Sequence, residues 1–446
     1  MATGSARMVA SDAPEAAKTS LPLKGIVAVV IGNWLEFYDF IVFTFFAVMI
    51  GDAFFPAESP VGRLLGALAT FGVGFVTRPL GAAIIGPYAD RVGRRAALTL
   101  TLLLMSLGSA IIALTPPYAQ IGIAAPILLL VARLIQGFSC GGEVGPATTY
   151  LLESAPIEKR AALTAWQAYS QQLASLMGAG MGLILAATLS QEQLYAWGWR
   201  VPFLLGIFIA PVAFYIRRQL PETVDERQTH RSTGAVLGEL LRHHSGPVVL
   251  GIMIICGGTI STYVFNYMTT YAITTLHLPA TIATTLTLTG SAAQIAGFAV
   301  GVWVDRFSRK AMLVATRSVF LLMVYPAYTV LTSPQAGPGG IVATNLAINF
   351  VFATGIGAIY AFLAEAFPAS VRSSGLAILY AIGVAVFGGT TQFVVAWLID
   401  WTGNAMVPAW YQLAANVVSI VGVVLLVPYD ESRRQNLPVI AAQVAN

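Results

Sequence analysis

GPYADRVGRR, Gly86–Arg95, is echoed further along the chain by GVWVDRFSRK, Gly301–Lys310. Gly86 and Gly301, Asp90 and Asp305, Arg91 and Arg306, and Arg94 and Arg309 are each separated by 215 positions. A second echo pairs ESAPIEKR, Glu153–Arg160, with EAFPASVR, Glu365–Arg372, whose shared Glu, Pro and Arg recur 212 positions apart. Two independent matches at nearly one offset imply that the same unit is written twice. Each echoed stretch is a charged loop between long apolar runs.

Of the 446 residues, 57% are hydrophobic and only 10% charged, with a mean hydropathy of +0.76. A soluble domain carries about 25% charged residues, so a water-soluble fold is excluded. About 20 apolar residues cross a hydrocarbon core of ~30 Å. Twelve runs of that kind lie near 24–50, 61–86, 96–115, 121–144, 161–188, 199–217, 247–272, 281–303, 311–332, 341–364, 373–399 and 408–428. Lipid offers the backbone no hydrogen-bond partner, so the spans are predicted to be helices. The expected fold is an all-α membrane protein of twelve transmembrane helices in two pseudo-symmetric six-helix bundles. Residues 23–217 and 247–430 form the bundles, and 218–246 a polar cytoplasmic linker. Residues 1–22, too polar for a signal peptide, and 431–446 are read as cytoplasmic tails.

Placing the N-terminus in the cytoplasm puts nineteen Lys and Arg on the inner side and only Arg63 and Arg200 on the outer side. That asymmetry predicts both termini inside. The basic pI of about 9.0 then reflects topology, and no nucleic-acid partner is expected. Cys140 and Cys256 both fall inside spans and are read as buried thiols. The four histidines fall in loops without metal-ligand spacing. No nucleophile–base pair or metal cluster lies within the spans, so an enzyme is not expected, and neither a cofactor nor a metal is called for.

GNWLEFYDF, Gly32–Phe40, carries the charges that need a reason. Glu36 is twelve residues into the first span, roughly 18 Å at 1.5 Å per residue, near the midplane. Asp39 is one turn further and shares its face. Arg133 sits at similar depth in the fourth span, and Arg78 lies deeper toward the cytoplasm. A charge at the bilayer centre costs about 2.5–3.5 kcal/mol on insertion scales, and such groups face one another or an aqueous cavity. The second half supplies neutral groups at that depth, namely Tyr263, Asn266 and Tyr267, Gln294, Asn345, Asn349 and Gln392. The first half adds Asn33, Gln136, Gln167 and Gln171, while Arg317 is read near the inner end of its span.

Two parallel six-helix halves with repeated GxxxDRxGRR loops resemble the major facilitator superfamily. The resemblance covers nearly the whole chain. It implies a substrate site between the halves near the midplane, and cytoplasmic loop charges that pair and part as the halves rock. Those are Asp90, Arg91, Arg94, Arg95, Glu153 and Arg160 in the first half, and Asp305, Arg306, Arg309, Glu365 and Arg372 in the second. GNWLEFYDF, RLIQGFSCGGE (133–143), WGWRVPF (197–203) and RRQLPET (217–223) resemble one branch, the metabolite:proton symporters. FFPAES (54–59), WQAYSQQ (166–172) and VFGGTTQ (386–392) are most similar to its citrate and tricarballylate members, whereas LEFYDF and TGIGAIYAF (354–362) depart from them. Relatives in the branch carry 2-oxoglutarate, shikimate, or proline and betaine instead.

The resemblance implies a monomer in a bacterial inner membrane, with protons and a small organic anion as its partners. Glu36 and Asp39 are then expected to handle the protons. Arg133, with Arg78, is expected to receive a substrate carboxylate, since a guanidinium suits bidentate recognition and stays charged. With both acids ionised the two arginines are neutralised. Protonation leaves the site positive, so proton and anion bind cooperatively.

Overall fold

The computed structural model describes residues 23–92, 94–153, 160–207, 211, 238, 242–304, 308–356, 359, 362–363, 366–367 and 372–427. The chain opens with helix α1 (Leu23–Phe45) and, after a break at Phe46, α2 (Ala47–Phe54), bent 68° from it. Helices α3 (Pro60–Val76) and α4 (Arg78–Val92) make the second span, and α5 (Arg94–Leu114) the third. The connector α6 (Tyr118–Ile121) leads to the long α7 (Ala124–Glu153) and α8 (Arg160–Thr188). A further connector, α9 (Gln191–Ala196), precedes helix over 201–207. The second half comprises α10 (Ser245–Asn266) with α11 (Met268–Thr274), α12 (Ala280–Val304), α13 (Arg309–Leu331) and α14 (Pro338–Thr354). It ends with α15 (Arg372–Gly383), a π-helical turn over Val384–Gly388, α16 (Gly389–Thr402) and α17 (Val407–Leu425).

Each of the twelve apolar runs carries helix among the described residues, the sixth over 201–207 and the tenth over 341–354. Six described helices are long and apolar enough to cross a membrane, and α1 with α2 makes a seventh as one bent span. Local chemistry places the ends. Ser59 accepts from the Gly62 N–H at 3.0 Å with Pro60 at the first helical position, and Ser190 with Gln193 closes a capping box on α9. Pro79 cannot donate to the turn before it, and the second span breaks there at Thr77. Large side chains such as Leu322 and Trp401, 77% and 72% exposed, face outward, as an apolar solvent allows.

The packing repeats with the sequence. In the first half α7 lies against α3, α4 and α5; in the second, α14 lies against α12 and α13. The halves meet along α8–α12 and α3–α16. The repeat exchanges α3 with α12 and α8 with α16, so the two seams map onto each other.

Backbone meets backbone where the first half is tightest. Thr77 Oγ1 donates to the Leu134 carbonyl at 2.9 Å. A methyl at Gly137 would overlap the Gly74 carbonyl oxygen and one at Gly141 that of Arg78. This small-residue seam fixes Arg78 and Arg133 relative to each other. Gly137→Ala is expected to cost more than the ~1–3 kcal/mol usual for overpacking, because a carbonyl cannot turn aside as a side chain can. Gly340→Ala, where nothing lies within 4 Å, should be close to neutral. Thermal unfolding of the two variants in detergent compares them.

Candidate functional site

A cavity lies between the halves. Phe37 and Ile41 of α1 and Gln171 and Gln172 of α8 line it from the first half. Ile255, Gly258, Thr259, Thr262, Tyr263 and Asn266 of α10, with Ile356, Ile359, Tyr380 and Val384, line it from the second. Val384 opens the π-helical turn, and Gly388 at its end lets Tyr263 approach; a methyl there would stand 2.7 Å from its ring. One turn beyond the lining residues, toward the face opposite the start of α1, the Thr270 hydroxyl donates to the Thr44 carbonyl at 3.2 Å. Ala47, Leu64 and Leu68 pack with Tyr267, Met268 and Tyr271 in one apolar cluster across the same level. The cavity is therefore closed at that face.

Of the residues expected to bind substrate, Gln171, Tyr263 and Asn266 line the cavity. Arg78 and Arg133 lie behind its wall, 4% and 0% exposed. Arg133 Cζ stands 4.4, 4.5 and 4.9 Å from the ring centres of Phe40, Phe43 and Phe71, and Arg78 Cζ 4.7 and 4.1 Å from those of Phe40 and Phe75. Desolvated contacts of this kind are worth about 2 kcal/mol. Tyr263 belongs to both compartments, since its ring also meets Phe75 and Phe71 at 5.5 and 6.1 Å. An aromatic layer of Phe71, Phe75 and Tyr263 stands between the guanidinium groups and the cavity.

Behind that layer the acids and arginines are joined. Arg133 Nη1 donates to Gln136 Oε1 at 2.8 Å, and Gln136 Nε2 donates to Ser109 Oγ at 3.0 Å. Ser109 lies beside the Asp39 carboxylate, which also feels the charge of Arg133. Both hydrogen bonds from Arg133 to Ser109 run in the same direction, so each polarises the next. Asp39 fits because residue 206 is glycine; a methyl there would overlap Asp39 Oδ1. Glu36, 1% exposed, is within electrostatic reach of Arg78. Arg133 keeps Nε and Nη2, and Arg78 Nε and Nη2, without hydrogen-bond partners.

The neutral candidates sort by position. Asn33 donates to Ser170 Oγ at 2.6 Å and to the Gln167 carbonyl at 3.2 Å, tying α1 to α8. Gln392 Nε2 reaches the Tyr263 carbonyl at 3.3 Å. Tyr267 is buried in the apolar cluster near the closed face. Asn349 accepts from Gln294 at 2.7 Å, and Asn345 donates to the Leu286 carbonyl at 2.6 Å, so these three join α12 to α14 outside the cavity lining. Arg309 begins α13. The side chains of the other loop charges, Asp90, Arg91, Arg94, Arg95, Glu153, Arg160, Asp305, Arg306, Glu365 and Arg372, lie outside the described residues.

Ser109 and the four phenylalanines were not anticipated from the sequence. A serine in an apolar helix usually bonds its own backbone, and phenylalanine in a span usually meets lipid, so neither type announces a site.

The sequence model of the Major Facilitator Superfamily matches residues 29–386. A citrate-proton symporter from Klebsiella pneumoniae is 37% identical over 397 residues, covering 87% of this chain and 88% of that protein. A citrate-proton symporter from Salmonella typhi is 35% identical, covering 90% and 93%. The crystal structure of a D-xylose-proton symporter superposes with a TM-score of 0.73 at 19% identity, over 91% of this chain and 98% of that one; at that identity it speaks for the fold. With its duplicated helical halves and the cavity between them, this chain belongs to the Major Facilitator Superfamily and is a transporter, not an enzyme.

Proposed function

We propose that the protein is a proton-coupled symporter that imports a small organic anion, citrate or a related tricarboxylate, by alternating access. The observation that carries this reading is the buried cluster of Arg133, Gln136 and Ser109, joined by hydrogen bonds, with the Asp39 carboxylate beside it and within reach of the Arg133 charge. The two citrate-proton symporters similar over most of the chain favour the substrate class.

Arg133 holds its orientation through Gln136 while Asp39 is ionised. Protonating Asp39 removes the negative charge that attracts Arg133. The free N–H groups of Arg133 and Arg78 can then take a carboxylate, once Tyr263 and the phenylalanine layer turn aside. Glu36, beside Arg78, serves as the second proton-handling acid. Proton and anion each favour the binding of the other, which is symport by linkage. Gln171, Tyr263 and Asn266 supply hydrogen bonds for the rest of the cargo, while Asn33, Gln167, Tyr267, Asn349 and Gln392 support the helices that carry them. The repeated loop charges act as latches at the cytoplasmic ends. The protein works as a monomer in the bacterial inner membrane with both termini in the cytoplasm.

Purified protein in proteoliposomes tests the reading. An inside-alkaline pH gradient should drive labelled citrate above its equilibrium level, and a protonophore should abolish the accumulation. Accumulation insensitive to the protonophore, or transport of betaine with no response to citrate, would overturn it.

A further inference from the structure

The second half holds its own buried cation. Arg317 of α13 is 3% exposed and begins about 12 Å along its helix, eight residues at 1.5 Å each. Its Nη1 donates to Asn416 Oδ1 at 2.9 Å, and Asn416 Nδ2 donates to Ser261 Oγ at 2.9 Å. The guanidinium centre lies 5.5 Å from the Phe352 ring. Among the described residues no carboxylate pairs with it. A buried charge without a counter-ion costs several kcal/mol, so its retention calls for an anion.

The free atom is Arg317 Nη2, and its position is informative. A methyl at Gly258 would stand 3.1 Å from Nη2 and 3.8 Å from Ile359 Cδ1. Gly258 and Ile359 both line the central cavity. The missing side chain at residue 258 thus leaves a gap in the wall directly in front of an unpartnered N–H group. Thr259 and Thr262 border it with hydroxyls.

We propose that Arg317 is a second carboxylate-binding group, reached from the cavity through the gap at Gly258, that engages a carboxylate of a polycarboxylate cargo beyond the one held by Arg133. The proposal rests on the anion-symport reading. It gives each half one anchoring cation, so that a cargo with several carboxylates bridges the halves and a monocarboxylate does not.

Matched probes test it. Propane-1,2,3-tricarboxylate and butyrate, which is propane-1-carboxylate, share one carbon chain and differ in having three carboxylates against one. Uptake of both into proteoliposomes should show a preference for the tricarboxylate in the wild-type protein. Arg317→Gln should reduce that preference tenfold or more with butyrate uptake little changed, and Arg317→Lys should restore part of it. Gly258→Ala, which fills the gap and leaves the arginine in place, should lower the preference as well, and it decides the matter if Arg317→Gln does not fold. An unchanged preference in folded variants, or an equal loss for both acids, would overturn the proposal. If the wild-type protein takes up neither acid, the anion-symport reading fails first and this inference with it.

Discussion

Arg133→Gln is expected to reduce substrate uptake by at least about 100-fold. Arg133 is fully buried, bonded to Gln136 and within electrostatic reach of Asp39, and removing a buried charge on which a neighbouring charge depends costs about 2–5 kcal/mol. Glutamine fills some of the volume but removes the charge that offsets Asp39, so the loss includes an acid left without its cation. Arg133→Lys should fall between, because an ammonium keeps the charge yet cannot present two parallel donors or lie flat between Phe40, Phe43 and Phe71. Counterflow in proteoliposomes, with binding measured by calorimetry, reads both effects. Wild-type counterflow by Arg133→Gln would show that the substrate does not use this guanidinium.

Asp39→Asn should separate transport from its driving force. Asparagine has nearly the shape of the carboxylate, so the bonds from Arg133 through Gln136 to Ser109 keep their geometry while residue 39 is held permanently neutral. Exchange of substrate down its gradient is expected to continue. Accumulation against the gradient should fall to what Glu36 alone still couples. Each proton moved through 100 mV contributes about 2.3 kcal/mol, a factor of roughly 50 in concentration, and that factor is what the variant loses for each proton Asp39 carries. Uptake at fixed membrane potential and varied external pH should become less steep in the variant. Gly206→Ala should impair both exchange and accumulation, since its methyl displaces the Asp39 carboxylate without changing its charge.

The sequence made the architecture legible because lipid imposes strict terms. The apolar runs must be helices, the basic loops sort by side, and the paired DR loops reveal the duplication. The acids and arginines of the first half were legible for the same reason, since nothing cheap explains Glu36, Asp39 or Arg133 in an apolar span. Their connections were not. Ser109 and Gln136 are 27 positions apart on different helices, and only packing brings them together. Nor did residue type show that Phe40, Phe43, Phe71 and Phe75 face guanidinium groups rather than lipid. Arg317 was visible as a charge in a span, but its depth and its open side depend on Asn416 and Gly258, far away in sequence. Asn345 and Asn349 were visible as polar groups near the midplane; that they join two helices of one half was not.

Proton uptake on substrate binding is the most direct measurement of the coupling between Asp39, Glu36 and the cargo. Purified protein in weakly buffered detergent solution, at a pH where the added tricarboxylate is fully ionised, should alkalinise the medium when substrate binds, and Glu36→Gln/Asp39→Asn should bind it with no proton exchange. Binding by the wild-type protein without proton uptake, or undiminished uptake in the double variant, would contradict it.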